Sequence, residues 1–270
     1  MTNAQAKIVP GLAVQLGDRP LQVVGARPEI ADFWRDAQAG RWEDATLRFI
    51  DIATARPGSV LVDVGAWIGP ISLYAAPRVE KVIALEPDPV AHQELAANIE
   101  ANVKNVEVWN AAVDQAPGVL KLYAPEGFGG SVTSSIGSGE PIEVKTVTFD
   151  DLDAAAGASQ AILKVDIEGH EFRVMDALID FASRRRAPTH LSLHPRSIWS
   201  ELRKSGGWLA ARRETMRATM DAIDKLQVVG PVLLSETGGP ATRAAVFRLI
   251  YLKRRPKNFS VEVREPRQAA

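Results

Sequence analysis

The segment V-L-V-D-V-G-A-W-I-G-P at Val60–Pro70 constrains this 270-residue chain more than any other. Val60, Leu61 and Val62 read as a fully buried strand that ends on Asp63. Gly65 and Gly69 then let the backbone turn tightly and approach a ligand at the strand's carboxyl end. A second apolar strand, Lys81–Leu85, ends on Glu86, 21 residues beyond Gly65. That spacing suits a carboxylate hydrogen-bonded to both hydroxyls of an adenosine ribose, as in doubly wound folds. A dinucleotide site wants G-x-G-x-x-G, and Trp67, next to Ala66, stands where the middle glycine would be. Asp63 would repel a pyrophosphate and suits a cofactor with positive charge. S-adenosylmethionine therefore fits better than NAD.

Strands and helices alternate along the chain. Pro28–Ala39 and Trp42–Ala55 read as amphipathic helices, the second closed by Pro57 and Gly58, so residues 1–57 are expected to form an N-terminal helical cap. Strands at about 60–64, 81–86 and 106–110, with helices around 68–76 and 89–102 between them, imply right-handed parallel crossovers. Val119–Tyr123 and Ile142–Val147 can pair as a hairpin. Between them, Ala124–Pro141 holds five glycines and four serines, which predicts a long flexible loop that serves as a lid or as a tolerated insertion.

A second concentration of chemistry lies at A-I-L-K-V-D-I-E-G-H-E, Ala161–Glu171. Ile162, Leu163 and Val165 form a buried strand, and Asp166, Glu168, His170 and Glu171 crowd its carboxyl end, where α/β sheets bind ligands. Gly169 permits the turn into a helix from about Glu171 to Ala182. The strand Thr189–Leu193 delivers His194 to the same rim, followed by Pro195 and Arg196. Such a set can serve as a general base or as metal ligands. Glu171 can equally be an acid favoured at a helix N-terminus, and His170 a structural histidine.

Five motifs recur in order: D-V-G-A-x-x-G at Asp63–Gly69, A-L-E-P-D-P at Ala84–Pro89, N-x-x-x-N at Asn98–Asn102, T-V-T-F-D-D-L at Thr146–Leu152 and L-K-V-D-I-E-G-H-E at Leu163–Glu171. Together they resemble the FkbM-type methyltransferases over roughly residues 58–195. The resemblance implies a class I α/β fold: a doubly wound, mostly parallel seven-stranded sheet with an antiparallel final strand. It implies O-methylation of a hydroxyl on a sugar, glycolipid, polysaccharide or polyketide-type metabolite, with S-adenosylmethionine as methyl donor. Carried over to this chain, it sets Asp63, Gly65, Ala66 and Gly69 beside the methionine part of the cofactor and Glu86 at the ribose. Asp88 would lie near the adenine, Ala111 and Ala112 would line its slot with Asp114 nearby, and Asp166 would face the methyl group. Asp166, Glu168, His170 and His194 are the catalytic candidates, as bases or as ligands of a divalent metal that activates the acceptor hydroxyl.

Downstream, Ile198–Leu202 and Trp208–Ile223 read as helices, and Val228–Leu234 and Ala245–Leu252 as the closing strands, with E-T-G-G-P as the turn between them. The methyltransferase domain is thus expected over residues 58–255, with a poorly ordered tail from Pro256. Trp199 and Trp208 are core residues or sugar platforms. Arg184–Arg186 and the cluster Lys253, Arg254, Arg255 and Lys257 suit an anionic acceptor or a solvated surface.

A net charge of −1, with 46% hydrophobic and 24% charged residues, describes a globular chain with no general attraction to nucleic acid or membrane. The absence of cysteine excludes disulfides, thiolate metal sites and a cysteine nucleophile. The opening M-T-N-A-Q-A-K-I-V-P lacks the apolar core of a signal peptide, so a cytoplasmic protein is expected, with a small-molecule or glycan acceptor and a homodimer compatible with the chain. Two alternatives stay open: a nicotinamide-dependent oxidoreductase and a non-catalytic cofactor-binding partner of another enzyme.

Overall fold

The computed structural model describes residues 11–24, 28–55, 57–124, 127–137 and 139–266. The signal-peptide reading of residues 1–10, three positions of the 124–141 loop and the last four residues lie outside them. In chain order the elements are β1 (Leu12–Leu16), β2 (Arg19–Val23), α1 (Pro28–Gln38), α2 (Asp44–Ala53), β3 (Ser59–Val64), α3 (Pro70–Ala75), β4 (Lys81–Leu85) and α4 (Pro89–Asn102). Then come β5 (Val106–Trp109), β6 (Ala112–Val113), β7 (Gly118–Leu122), β8 (Ile142–Val147), α5 (Phe149–Ala156), β9 (Gln160–Val165), α6 (Glu171–Arg185) and β10 (Thr189–Leu193). The chain closes with α7 (Pro195–Ser205), α8 (Trp208–Leu226), β11 (Leu233–Leu234), α9 (Arg243–Tyr251) and β12 (Phe259–Val263).

Seven strands form the main sheet in the order β11-β12-β10-β9-β3-β4-β5. β5, β4, β3, β9 and β10 run parallel, and β12 lies antiparallel between β10 and β11. This is the doubly wound α/β class expected from the sequence. The two-residue period of the strands sorts the core into layers. Val60, Val62 and Val64 of β3 and Ile83 and Leu85 of β4 face one layer, with α5, α6, α8 and α9. Leu61, Val82 and Ala84 face the other, with α1–α4 and the hairpin β1-β2. Every residue of β3 is buried, as a central parallel strand covered on both faces must be.

The hairpin β1-β2 precedes the two N-terminal helices and was not foreseen. Its alternation buries Val14, Leu16, Leu21 and Val23. Asn98 and Asn102, one turn apart on α4, hold it in place. Asn98 Oδ1 accepts from the Val24 N–H (2.7 Å), its Nδ2 donates to the Ile68 carbonyl (2.8 Å), and Asn102 exchanges two bonds with the Gln22 backbone (2.9 and 2.7 Å). β7 and β8 pair antiparallel as expected and form a small side sheet with β6.

Three expectations about the C-terminal third are corrected. The tail from Pro256 is not loose: Phe259, Val261 and Val263 of β12 are buried inside the main sheet. Ala245–Leu252 is helical, because Val246 and Ile250 recur with the four-residue spacing of a buried helix face and Thr242 caps its start (3.3 Å to the Ala245 N–H). Of Val228–Leu234, only Leu233–Leu234 is strand. The fully buried Arg212 of α8 closes the end of α9: Nη1 donates to the carbonyls of Ile250 and Tyr251 (2.9 Å to the latter), and Nη2 to those of Lys253 and Arg254 (2.6 and 2.8 Å).

Arg212→Ala removes four hydrogen bonds to carbonyls at the end of α9, that of Ile250 buried and the others partly so, and takes the guanidinium from the Trp208 ring, so it is expected to lower unfolding free energy by about 3 kcal/mol in urea titrations. A loss below about 1 kcal/mol would show that the helix end is satisfied without it.

Candidate functional site

A cleft of about 260 Å³ opens at the carboxyl ends of β3, β4 and β9. One wall is the turn after β3. Gly65 has φ +79°, and a Cβ there would stand 1.8 Å from the Asp166 carbonyl oxygen, so only glycine lets the β3 and β9 ends approach this closely. Ala66 and Trp67 continue the wall. Gly69 (φ +94°) turns its back to the cleft, and a Cβ there would meet the Leu95 side chain at 2.7 Å.

Asp63 does not line the cleft. It is fully buried beneath the turn, where it accepts from Ser72 Oγ (2.7 Å) and pairs with Lys164 Nζ (3.0 Å). Lys164 also donates to the Gly65 carbonyl (2.6 Å) and lines the cleft floor. Burial works against its charge, but Asp63, Asp166 and Glu43 outweigh that and raise its pKa above the ordinary lysine value. It was absent from the expected site, although a lysine inside the apolar run I-L-K-V was itself a signal that a buried carboxylate awaited it.

Glu86, at the end of β4, lines the cleft with its carboxylate pinned by the backbone N–H groups of Trp67 and Asp88 (2.8 Å each). Burial pushes its pKa up to about 7 against those two bonds. Asp88 stands away from the cleft: Oδ1 caps α4 through the N–H groups of Val90 and Ala91, and Oδ2 accepts from the Gly129 N–H (2.6 Å) and Thr133 Oγ1 (2.9 Å). It ties the 127–137 segment to the rim. Trp67 Nε1 donates to the Gly129 carbonyl (3.2 Å), and Gly130, Ser131, Thr133 and Ser135 of that segment reach the cleft. Ala111 and Ala112 line the opposite side. Asp114 is set back, bonded to Arg173 (2.9 Å).

The acidic rim converges as the sequence suggested. Asp166, Glu168 and His170 line the cleft, and His194 stands behind them, 3.3 Å from Asp166 Oδ1 and 3.5 Å from Glu168 Oε2 through its Nε2. Glu171, fully buried, accepts from the His194 N–H (2.7 Å) and the Gly169 N–H (2.8 Å), and its Oε1 lies 3.2 Å from His194 Nδ1. It thus joins the two loops after β9 and β10. Burial opposes a charge on His194, but Glu171, Asp166 and Glu168 prevail and raise its pKa to about 10. These neighbours favour the imidazolium form of His194. Burial lifts Glu168 to about 7, with His194 holding it back and Asp166 adding to the rise. His170 is held below its ordinary value by burial, and its Nδ1 lies 2.8 Å from Ser135 Oγ. Asp166, Glu168 and His194 each offer one donor atom within 4.8 Å of the others, a set that could hold a metal ion.

Trp42 and Glu43, between α1 and α2, complete the cleft and were not foreseen, since nothing in R-W-E-D marks them beyond an ordinary helix start. Among the described residues four non-glycines have positive φ, and three of them, Glu43 (46°), Trp67 (50°) and Glu168 (52°), line the cleft. Each such position costs about 1–3 kcal/mol and persists only where its surroundings enforce it.

Residues 63–199 match the methyltransferase FkbM domain. The chain belongs to the FkbM methyltransferase family. This family of S-adenosylmethionine-dependent enzymes gives no support to the nicotinamide alternative. Among curated proteins, a ribosomal RNA small subunit methyltransferase A from Kineococcus radiotolerans is 33% identical over 120 residues, 44% of this chain. That stretch spans only 36% of the curated relative's length. Solved structures with similarity include methyltransferase FkbM from Methylobacillus flagellatus (19% identity, TM-score 0.35, covering 51% of this chain and 33% of that one). Another is Trm5b from Pyrococcus abyssi (13% identity, TM-score 0.40, covering 94% and 55%). No helix among the described residues of this FkbM methyltransferase is long and apolar enough to cross a membrane.

Gly65→Ala is expected to cost about 2 kcal/mol or more, read as a lowered melting temperature, because the Asp166 backbone must retreat and the backbone must hold φ +79° with a Cβ. An unchanged melting temperature would mean that the two loops are not in contact.

The site also sets a pH dependence. His194 is raised from about 6.5 to about 10, so its contribution to stability is complete below pH 6.5 and disappears as pH rises through 10. Glu86 and Glu168, raised by burial from 4.5 to about 7, favour the folded state below pH 4.5 and lose that contribution as pH rises through 7. Below pH 6.5 the lowered pKa values of His190 and His170 give slopes of the opposite sign, so melting temperature is expected to fall between about pH 6.5 and pH 9.5, and His194→Gln should flatten that fall. A melting temperature that rises with pH over that range would contradict the burial of these groups.

Proposed function

We propose that this protein is an S-adenosylmethionine-dependent O-methyltransferase acting on a hydroxyl of a sugar, glycolipid, polysaccharide or polyketide-type metabolite. The observation that carries this reading is Glu168. Its carboxyl lies at the cleft in a strained αL turn, beside an imidazolium, with its pKa raised to about 7. A general base works best with a pKa near the operating pH.

The residues present fit the cofactor. Gly65 leaves room only for backbone, and Glu86 is a buried carboxylate at the cleft that a hydroxyl pair can complement. Gly65, Ala66 and Trp67 would hold the methionine part, Glu86 the ribose, and Ala111 and Ala112 the base, whereas Asp63, Gly69 and Asp88 shape the walls from behind. When bound, S-adenosylmethionine supplies an electrophilic methyl carbon on a sulfonium.

An alcohol is a poor nucleophile at neutral pH until a base takes its proton. Glu168 would accept that proton on its carboxylate as the methyl group passes to the acceptor oxygen and its bond to sulfur breaks, leaving the neutral thioether, and positioning in the cleft would supply much of the remaining acceleration. His194, itself held by Asp166 and Glu171, pairs with Glu168 and favours its ionised form. A divalent cation held by Asp166, Glu168 and a deprotonated His194 nitrogen is the competing way to activate the hydroxyl. The same carboxylates disfavour a polyanionic acceptor such as RNA.

Calorimetric titration should give binding of S-adenosylmethionine and S-adenosylhomocysteine but not NAD, with magnesium making no difference. NAD binding alone would sink the reading. In transfer of a labelled methyl group to a panel of glycans and hydroxylated metabolites, the rate should rise with pH around a midpoint near 7. Glu168→Gln should lower kcat about 10²–10⁴-fold and leave cofactor affinity intact. A Glu168→Gln enzyme of full activity, or loss of activity on chelation, would move the chemistry to another group or to a metal.

A further inference from the structure

The turn Trp42–Glu43 lies outside the region that matches the family, residues 63–199, yet both side chains line the same cleft as Asp166 and Glu168. Glu43 occupies the N-cap position of α2 but makes no capping bond with its side chain. The side chains that ordinarily accept a backbone N–H there are those of Ser, Thr, Asp and Asn. Here the carboxylate is aimed elsewhere, in an αL conformation that a β-region cap would not need.

What holds it is a short relay of buried groups. Thr46 Oγ1 donates to Glu43 Oε2, so its one hydrogen is committed. His190 Nε2 lies 3.3 Å from the same Oγ1 and donates to it in the tautomer that carries the proton on Nε2. His190 and Thr46 are 0% and 2% exposed, and burial keeps His190 neutral, with its pKa lowered to about 4. The chain His190–Thr46–Glu43 thus runs from β10 through α2 to the cleft wall and leaves Glu43 Oε1 without a bond from this relay. Trp42 packs edge-on against Phe33 (5.0 Å), which packs in turn against Trp67 (4.5 Å), so Phe33 joins two indoles that both line the cleft.

We propose that Trp42 and Glu43 form the acceptor-binding element: Glu43 accepts a hydrogen bond from a hydroxyl of the acceptor, Trp42 covers an apolar face of its ring, and Thr46 and His190 are positioning residues. The proposal rests on the methyl-transfer reading above. It assigns substrate selection to the N-terminal segment and the methyl-transfer chemistry to the matched domain. The ligand class is a neutral ring compound with more than one hydroxyl, one for Glu168 and another for Glu43.

The test is saturation-transfer difference NMR on the full chain saturated with S-adenosylhomocysteine. The probes are methyl α-D-glucopyranoside and methyl α-L-rhamnopyranoside, with cyclohexylmethanol as a ring compound bearing a single hydroxyl. Both glycosides should receive saturation and cyclohexylmethanol should not. Glu43→Gln and Trp42→Ala should each reduce the signal about fivefold or more, with S-adenosylhomocysteine affinity within about twofold of the parent. Thr46→Val should reduce the signal in the same way, with S-adenosylhomocysteine affinity again within about twofold of the parent, and Thr46→Ser should restore it. Absence of glycoside signal, equal signal from cyclohexylmethanol, or indifference to both Trp42→Ala and Glu43→Gln would overturn the acceptor role. Full signal in Thr46→Val would overturn the relay. Failure of S-adenosylhomocysteine itself to bind would defeat the methyl-transfer reading first, and this inference with it.

Discussion

The arrangement of the cleft depends on one buried cation. Lys164 sits inside β9 with its ammonium between Asp63 and the Gly65 carbonyl, and its charge reaches Asp166 and Glu43. Carboxylates gathered in a low-dielectric floor repel one another, and without a cation beneath them several would take up protons or move apart. A lysine is costly to bury, and breaking one partner of such a pair typically costs about 3–5 kcal/mol because the other is left uncompensated. The pair therefore fixes an arrangement more than it stabilises the fold: Asp63 anchors Lys164, Lys164 holds the Gly65 turn, and that turn rests against the Asp166 backbone.

Above this floor, two loops are joined by a second buried charge. Glu171 bonds the backbone after β9 and the backbone of His194 after β10, so neither loop can shift alone. The imidazolium this produces stands between Asp166 and Glu168 and keeps a proton that a neutral histidine would exchange near pH 6.5. Strain is concentrated at the same place, in Glu43, Trp67 and Glu168. A pocket whose side chains are held by buried ion pairs and enforced backbone is preorganised, and preorganisation is what positioning catalysis requires.

Much of this was legible in the sequence, for physical reasons that can be named. The strands β3, β4 and β9 are continuous apolar runs that end on carboxylates, so the sheet and its functional edge follow from pattern alone. Gly65 was legible because a turn between a buried strand and a ligand leaves no space for a Cβ. The hairpin β1-β2 was carried by alternation around Gly17 and Asp18 but lies in a segment whose helices drew the eye. The C-terminal errors share one cause. The run A-V-F-R-L-I-Y-L has strand-like composition, and its helical fate depends on Thr242 before it and Arg212 from a distant helix. With that run expected as the closing strand, the sheet has no place for β12, and the expectation of a loose tail follows. In the site, residue types were legible and roles were not. Asp63, Gly69 and Asp88 support the walls of the cleft, and His194 is a cation, because burial and neighbours set those roles and neither is local in sequence.

The most direct measurement is a crystal structure of the protein with S-adenosylhomocysteine. The ribose is expected on the Glu86 carboxylate, the amino-acid part along the Gly65 turn, and the sulfur turned toward Asp166 and Glu168. A ligand bound outside this cleft, or one whose sulfur faces away from the Asp166–Glu168 rim, would contradict the assignment of the transfer site.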